Sequence, residues 1–332
     1  MLRVYFTSED LARVRVATGP DYLWEISNSV QTLQRADGRR EFGEWRRWAR
    51  PRLPESCRLL TPLLPPQGCS PDFLTPTYGD RESLQAAVDA LVRTPRPRLR
   101  ADLTRVAATR RLPGWTTALA DGDGAALQRL GQVLGAYHRQ VMAPFWQRVR
   151  AHIDADRVLR VHGLLDGAVD GLLAGLGPRF RWRPPVLEAD YPVEHDLWLN
   201  GRGLLLQPSF FCWPTPVTLT DGALPPVLVY PIDHERDWSC AQPSRRPDTD
   251  AALGQLMGHT RAAVLSAART GASTVELARL LGVTHPAVSQ HVKVLRTAGL
   301  VTTARRAGRS LHVATAEGRA LLRSGECGGG AA

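Results

Sequence analysis

GVTHPAVSQHVKVLRTAGLV, residues 282–301, opens with residues suited to ending one helix and starting another. Gly282 can adopt the left-handed backbone that stops a helix in a tight turn. Thr284 is a good N-cap, and Pro286 falls in the first turn, where its missing N–H costs nothing. Val288, His291, Val292 and Leu295 then recur at the spacing of one helical face, which predicts a buried stripe. The opposite face carries His285, Pro286, Ser289, Gln290, Lys293 and Arg296, with no carboxylate among them. A helix entering a DNA major groove needs hydrogen-bonding side chains near its N-terminus and cations for phosphate further along. The helix dipole adds positive potential at that same N-terminal end.

On the N-terminal side, STVE (residues 273–276) has the reciprocal capping-box pattern, Ser273 with Glu276. Val275, Leu277, Ala278 and Leu281 are expected to face inward along that helix. Before it, LGQLMGHTRAAVLSAAR (residues 253–269) reads as one packing helix. On the other side, Gly299 stops the helix, and Leu300–Arg305 can pair with Ser310–Thr315 across an Ala307-Gly308 turn. The result is a short hairpin, or wing, with Arg305, Arg306 and Arg309 at its tip, placed to meet phosphates or a minor groove. His312 in this hairpin is expected to be exposed and incidental, whereas His291 is expected to pack. From residue 250 onward ten Lys/Arg stand against four Asp/Glu, a local net of about +6 within a chain whose net charge is +10. The position of that excess matters because arginine is abundant throughout: Lys293 is the one lysine among 42 basic residues.

The segment STVELARLLGVTHPAVSQHVKVLRTAGLVTTARRAGRSLHVAT resembles the winged helix-turn-helix of ArsR-type bacterial repressors. The likeness lies in Glu276–Val283, in Ala287–His291, in Val294–Val301 and in the R-x-x-G-R of the wing. It extends over about 75 residues. The resemblance implies a homodimeric repressor whose affinity for double-stranded DNA changes with a ligand, often a metal ion. Two departures qualify it. Metal-sensing members carry paired cysteines where this chain has Thr274, Val275, Glu276 and Leu277, so no thiolate is available there. Only about Glu317–Arg323 follows the wing, which moves the expected dimer contact to the helix around Leu253 or to the N-terminal region. That long extension is similar to one found in a group of actinobacterial regulators, with no activity assigned to it.

The preceding residues have a different chemistry. All 9 Trp, 6 Tyr and 7 Phe precede Ser239, and the polar, proline-interrupted CAQPSRRPDTD (residues 240–250) reads as a linker. The expected domains are therefore residues 1–245, an α+β region for sensing or dimerisation; 246–325, the winged helix-turn-helix; and 326–332, a flexible tail. LRVYFT at the start alternates like a short strand. Residues 21–176 have mostly helical apolar spacing punctuated by proline, including a long helical stretch through Leu159, Leu164, Leu165, Val169, Leu172 and Leu173. After Pro178 come short runs of β-branched, leucine and aromatic residues. They predict an antiparallel sheet of about four or five strands, with hairpin turns at Asn200-Gly201 and Asp221-Gly222. The fold class expected is α+β: a mostly helical N-terminal region ending in an antiparallel sheet, then the winged domain.

Chemistry-bearing motifs are few. Five cysteines (57, 69, 212, 240 and 327) have no short repeated spacing, and no HExxH or CxxC occurs, so no metal and no cofactor is expected. Glu194-His195-Asp196 and Asp233-His234-Glu235-x-Asp237 cannot converge on one site if they lie on strands, because adjacent side chains point to opposite faces. Turns or surface charge are the expectation for both. No nucleophile elbow, phosphate loop or dinucleotide fingerprint is present, and no catalytic residue is assigned. Phe210, Phe211 and Trp213 are most simply sheet core, although their density also suits the lining of an apolar ligand pocket. With no apolar run of membrane-spanning length and no signal-peptide pattern, the expected setting is the cytoplasm, with no membrane partner. The sequence thus predicts a transcriptional regulator rather than an enzyme, probing DNA as a homodimer on a pseudo-palindromic operator. An enzyme or metabolite-binding protein with a DNA-binding appendage is the alternative. Whether residues 1–245 dimerise, sense a small-molecule effector or do both stays open at this level, as do the operator and the sign of regulation.

Overall fold

The computed structural model describes residues 1–75, 83–234, 238, 249–269, 271–306 and 309–324, without the side chains of 249–252, 304–306, 309, 323 and 324. The chain divides into two compact units, Met1–Cys240 and Ala241–Ala332. The boundary expected near residue 246, the linker around it and the tail at 326–332 lie outside the described residues.

The first unit begins with β1 (Leu2–Tyr5), α1 (Ser8–Ala12), β2 (Arg15–Val16), α2 (Tyr22–Gln34) and α3 (Arg39–Ala49). Thr7 and Asp10 form a capping box on α1, and the Asp21 carboxylate accepts from the Leu23 and Trp24 N–H groups at the head of α2. The helices α4 (Leu84–Val92), α5 (Arg96–Ala107), α6 (Thr116–Ala120), α7 (Gly124–Tyr137) and α8 (Trp146–Ala174) follow, α7 passing into one π-helical turn at His138–Met142. Their apolar faces meet in a core that includes Leu91, Leu99, Leu130, Leu134, Val149 and Ile153. The helical spacing after Leu159 is real, but α8 is kinked at Gly167 and Ala168, where Ala168 has φ of 49°. Leu159, Leu164 and Leu165 before the kink are exposed, whereas Leu172 and Leu173 beyond it are buried.

The strands β3 (Phe180–Arg183), β4 (Val186–Ala189), β5 (His195–Trp198), β6 (Leu205–Ser209), β7 (Val217–Thr218) and β8 (Val227–Pro231) complete the unit. They do not build one antiparallel sheet. Among the described residues they join β1 and β2 in two mixed, four-stranded sheets ordered β3-β4-β1-β5 and β2-β6-β8-β7. β1 runs antiparallel to β4 and parallel to β5, while β6 runs parallel to both its neighbours, β2 and β8. The α+β class stands, and strand direction is what changes. An alternating pattern identifies a strand without specifying its partner, and β1 finds its partners more than 180 residues away. Asn200 and Gly201 both take positive φ, 53° and 80°, as a tight turn requires. That turn links β5 of one sheet to β6 of the other, so it closes no hairpin. The loop containing Asp221-Gly222 does join an antiparallel pair, β7 with β8.

Buried carboxylates tie these layers together. Glu25 on α2 accepts from the N–H groups of Phe210 and Phe211 just past β6, at 2.8 and 3.0 Å. Asp72 accepts from Thr220 and Asp221, and Asp10 from Gly203. Each satisfies backbone donors that a loop beside the core would otherwise leave unpaired.

Candidate nucleic-acid interface

The second unit is built from α9 (Thr249–Met257), α10 (His259–Ala267), β9 (Ala272–Ser273), α11 (Thr274–Leu281), α12 (His285–Thr297), β10 (Val301–Arg306), β11 (Arg309–Ala314) and α13 (Ala316–Ser324). The expected single helix at 253–269 is two, because Gly258 breaks it with φ of 91°. The Ser273–Glu276 capping box forms on α11, and Gly282 ends that helix in the left-handed conformation at φ of 63°. Thr284 caps α12, accepting from the Ala287 N–H, with Pro286 in the first turn. Val288, Val292 and Leu295 are buried against Leu265, Leu277, Ala278, Val301 and Leu322. His291 is half-buried beside that stripe.

His285, Pro286, Ser289, Gln290, Lys293 and Arg296 are all exposed. The helix therefore presents three polar side chains in its first turns and two cations further along. Among the described residues neither Lys293 nor Arg296 has an ion-pair partner, so both charges are available to an anion. The wing strands β10 and β11 pair in the register Val301↔Ala314 to Arg306↔Arg309. The backbones of Arg305, Arg306 and Arg309 therefore lie at the far end of the hairpin, while their side chains and residues 307–308 are outside the described set.

Two further expectations in this unit fail. Val275 is 60% exposed rather than inward-facing, because only Leu277, Ala278 and Leu281 of α11 reach the core. His312 is 5% exposed rather than incidental. Its Nε2 lies 2.9 Å from Thr274 Oγ1 and its Nδ1 2.9 Å from Thr303 Oγ1. Burial pushes the imidazole below its ordinary range, with the Arg296 charge adding to the shift. A histidine on a short polar strand looks solvated in sequence, and only the packing of β11 against α11 encloses it.

The remaining candidates lie in the first unit. Phe210 and Phe211 are fully buried core residues, and Trp213 is half-buried beside them. Their rings belong to an aromatic cluster with Phe42, Trp45, His234 and Trp238. Trp213 also roofs Gly38, whose φ is 59° and where an added Cβ would come within 2.8 Å of the indole nitrogen. Glu194 and Asp196 flank Arg3 in exposed ion pairs at 2.8 and 3.2 Å, so this trio is surface charge at a strand end. His234 differs from that expectation. Its Nε2 donates to the Phe210 carbonyl at 2.6 Å within the aromatic cluster, and burial depresses its pKa to about 4. Asp233 points to solvent, and Glu235 and Asp237 are outside the described residues. Among the described residues, no group of three or more His, Cys, Asp or Glu side chains that could hold a metal ion forms around either histidine.

Residues 259–304 match a family model described as a helix-turn-helix domain, a span running from α10 into β10. No curated protein and no solved structure matches the chain. The match marks this segment as the DNA-binding part of a transcriptional regulator. Among the described residues, no helix is long and apolar enough to cross a membrane.

Proposed function

We propose that this DNA-binding regulator is an ArsR-like, ligand-responsive repressor acting in the cytoplasm, and that it binds a pseudo-palindromic operator as a homodimer. The exposed face of α12 carries the reading. Ser289 and Gln290 are placed to read base edges, with His285 beside them at the positive end of the helix dipole. Pro286 fixes the entry of the helix. Lys293 and Arg296 meet phosphates further along, and the wing arginines Arg305, Arg306 and Arg309 hold the flanking backbone. A two-fold dimer would then space its half-sites by about one helical turn, roughly 10 base pairs. The first unit supplies dimerisation, effector sensing or both, and no catalysis. Support for the repressor subtype comes from the motif resemblance, while the capping, burial and exposure of α12 support the contact residues.

The test is selection of bound genomic fragments at stated salt, followed by competition between the selected duplex and random duplex. Replacing both Ser289 and Gln290 with alanine is expected to reduce discrimination by about 1–3 kcal/mol per lost bidentate contact. It should leave binding to random duplex nearly unchanged. Equal discrimination by wild type and variant would remove α12 as the base reader.

A further inference from the structure

The wing of this protein is a two-stranded arm, and such an arm is useful at a DNA backbone only if its angle to the recognition helix is fixed. Besides the Ala314 N–H, which donates to the Ala268 carbonyl at the end of α10 at 2.8 Å, two features join it to the helical part at its inner side. One is the short strand β9, whose Ser273 pairs with Leu311 and whose Ala272 pairs with His312. The other is the His312 side chain. Thr303 is its cross-strand partner on β10, and Thr274 is the first residue of α11. The imidazole thus bonds to both the opposite wing strand and the head of the first helix of the helix-turn-helix, at 2.9 Å each. A neutral imidazole has one donor and one acceptor nitrogen, and a threonine hydroxyl can complement either. Both ring nitrogens are therefore satisfied in a buried place, where a lost partner is costly and the geometry correspondingly strict.

We propose that His312 is a positioning residue for DNA binding: with Thr274 and Thr303 it locks the wing to α11, so that wing and recognition helix engage one duplex together. This rests on the reading that the wing contacts phosphate. His312 itself touches no DNA. Without the tie the hairpin still forms, since its ladder is backbone-bonded, but β9 and the Ala314–Ala268 bond alone hold its angle to α12 less strictly. The phosphate contacts at its tip are then lost, while those of α12 persist.

The full-length chain binding a random-sequence duplex, titrated over a series of salt concentrations, tests this. The slope of log affinity against log salt reports the number of phosphates neutralised. His312→Ala is expected to lower that slope by about one or more, as Arg306→Ala on the wing itself should. His312→Gln, whose amide offers a donor and an acceptor, should restore most of it. Thr303→Val, which removes one of the two bonds and keeps the shape, should fall between wild type and His312→Ala and provides a milder probe should the alanine variant fold poorly. Leu322→Ala, a core truncation on α13, should lower the melting temperature and leave the slope alone. A wild-type slope in both His312→Ala and Thr303→Val, with Arg306→Ala lowered, would overturn the inference and keep the wing contact. No change in Arg306→Ala would overturn the wing contact and this inference with it. Failure of His312→Gln to restore the slope would also count against the tie.

Discussion

His234 shows how a single side chain can carry opposite meanings in sequence and in space. Flanked by Asp233 and Glu235 it looks like surface charge, yet its ring packs against Phe210 and Phe42 with centroids 4.5 and 4.8 Å away. Because a carbonyl can only accept, the bond to Phe210 requires the proton on Nε2. Burial, with the neighbouring His152 adding to it, holds the folded pKa at about 4. The unfolded chain, near the ordinary value of about 6.5, therefore binds a proton that the folded chain refuses. That stability is complete above about pH 6.5 and is lost as pH falls toward 4. Urea unfolding followed by Trp emission should show the first unit losing about 2 kcal/mol from this group between pH 7 and pH 5. His234→Gln should lose that much less over the same interval, and an unchanged pH dependence would mean that the imidazole is not buried neutral. Glu25 acts in the opposite sense. Burial raises its carboxyl to about 7 despite the two backbone donors, so between about pH 4.5 and 7 folding takes up a proton and this contribution weakens as pH rises. Comparing a variant with wild type at each pH separates the two effects.

At the scale of elements, the helix-turn-helix is assembled from short-range signals. The Ser273 and Thr284 caps, the left-handed Gly282 and Pro286 all act within four residues of where they stand. Removing such a signal has a bounded cost. Thr284→Ala should destabilise the second unit by about 1 kcal/mol, through loss of the bond to the Ala287 N–H. Gly282→Ala should cost a similar ~1–2 kcal/mol, because an alanine at φ of 63° pays for the left-handed backbone although no atom crowds the site. Gly318→Ala on α13 should be worse than either, since its Cβ would collide with the Leu300 carbonyl, which is backbone and cannot swing aside. Thermal melts of the isolated second unit, followed by far-UV circular dichroism, would rank the three. A Gly318→Ala variant as stable as wild type would contradict the packing of α13 on the turn before β10. The failure at Val275 belongs to this scale too. Its helix has eight residues, and so short a segment turns only part of its apolar set toward a core.

For the whole molecule, the two units differ in how much they can report about themselves. Every Trp precedes Ser239, so Trp emission senses Met1–Cys240 alone, whereas far-UV circular dichroism sees both units. Each unit has its own apolar cluster. Heating should therefore give a circular dichroism profile with two transitions, one of which coincides with the Trp transition. A single shared transition would mean that the units unfold as one body. The same partition offers a direct test of sensing. A small molecule that shifts Trp emission and also changes the affinity for DNA would exclude a passive scaffold role for the first unit.

The sequence by itself determined the DNA-facing end of the protein: caps, buried stripe, polar face and wing follow from residues that act on neighbours three or four positions away. It also determined that the first unit is mixed α+β, since helical and alternating periods are local properties of a chain. Only the tertiary structure decided which strands pair and in which direction, because β1 meets β4 and β5 across most of the unit and a periodic pattern carries no address. Only it showed that His312 is buried and that His234 is half-buried against the aromatic cluster, while Val275, Leu164 and Leu165 are exposed. Burial is a property of what lies above a side chain, and for these residues that cover comes from segments far away in the chain or does not come at all.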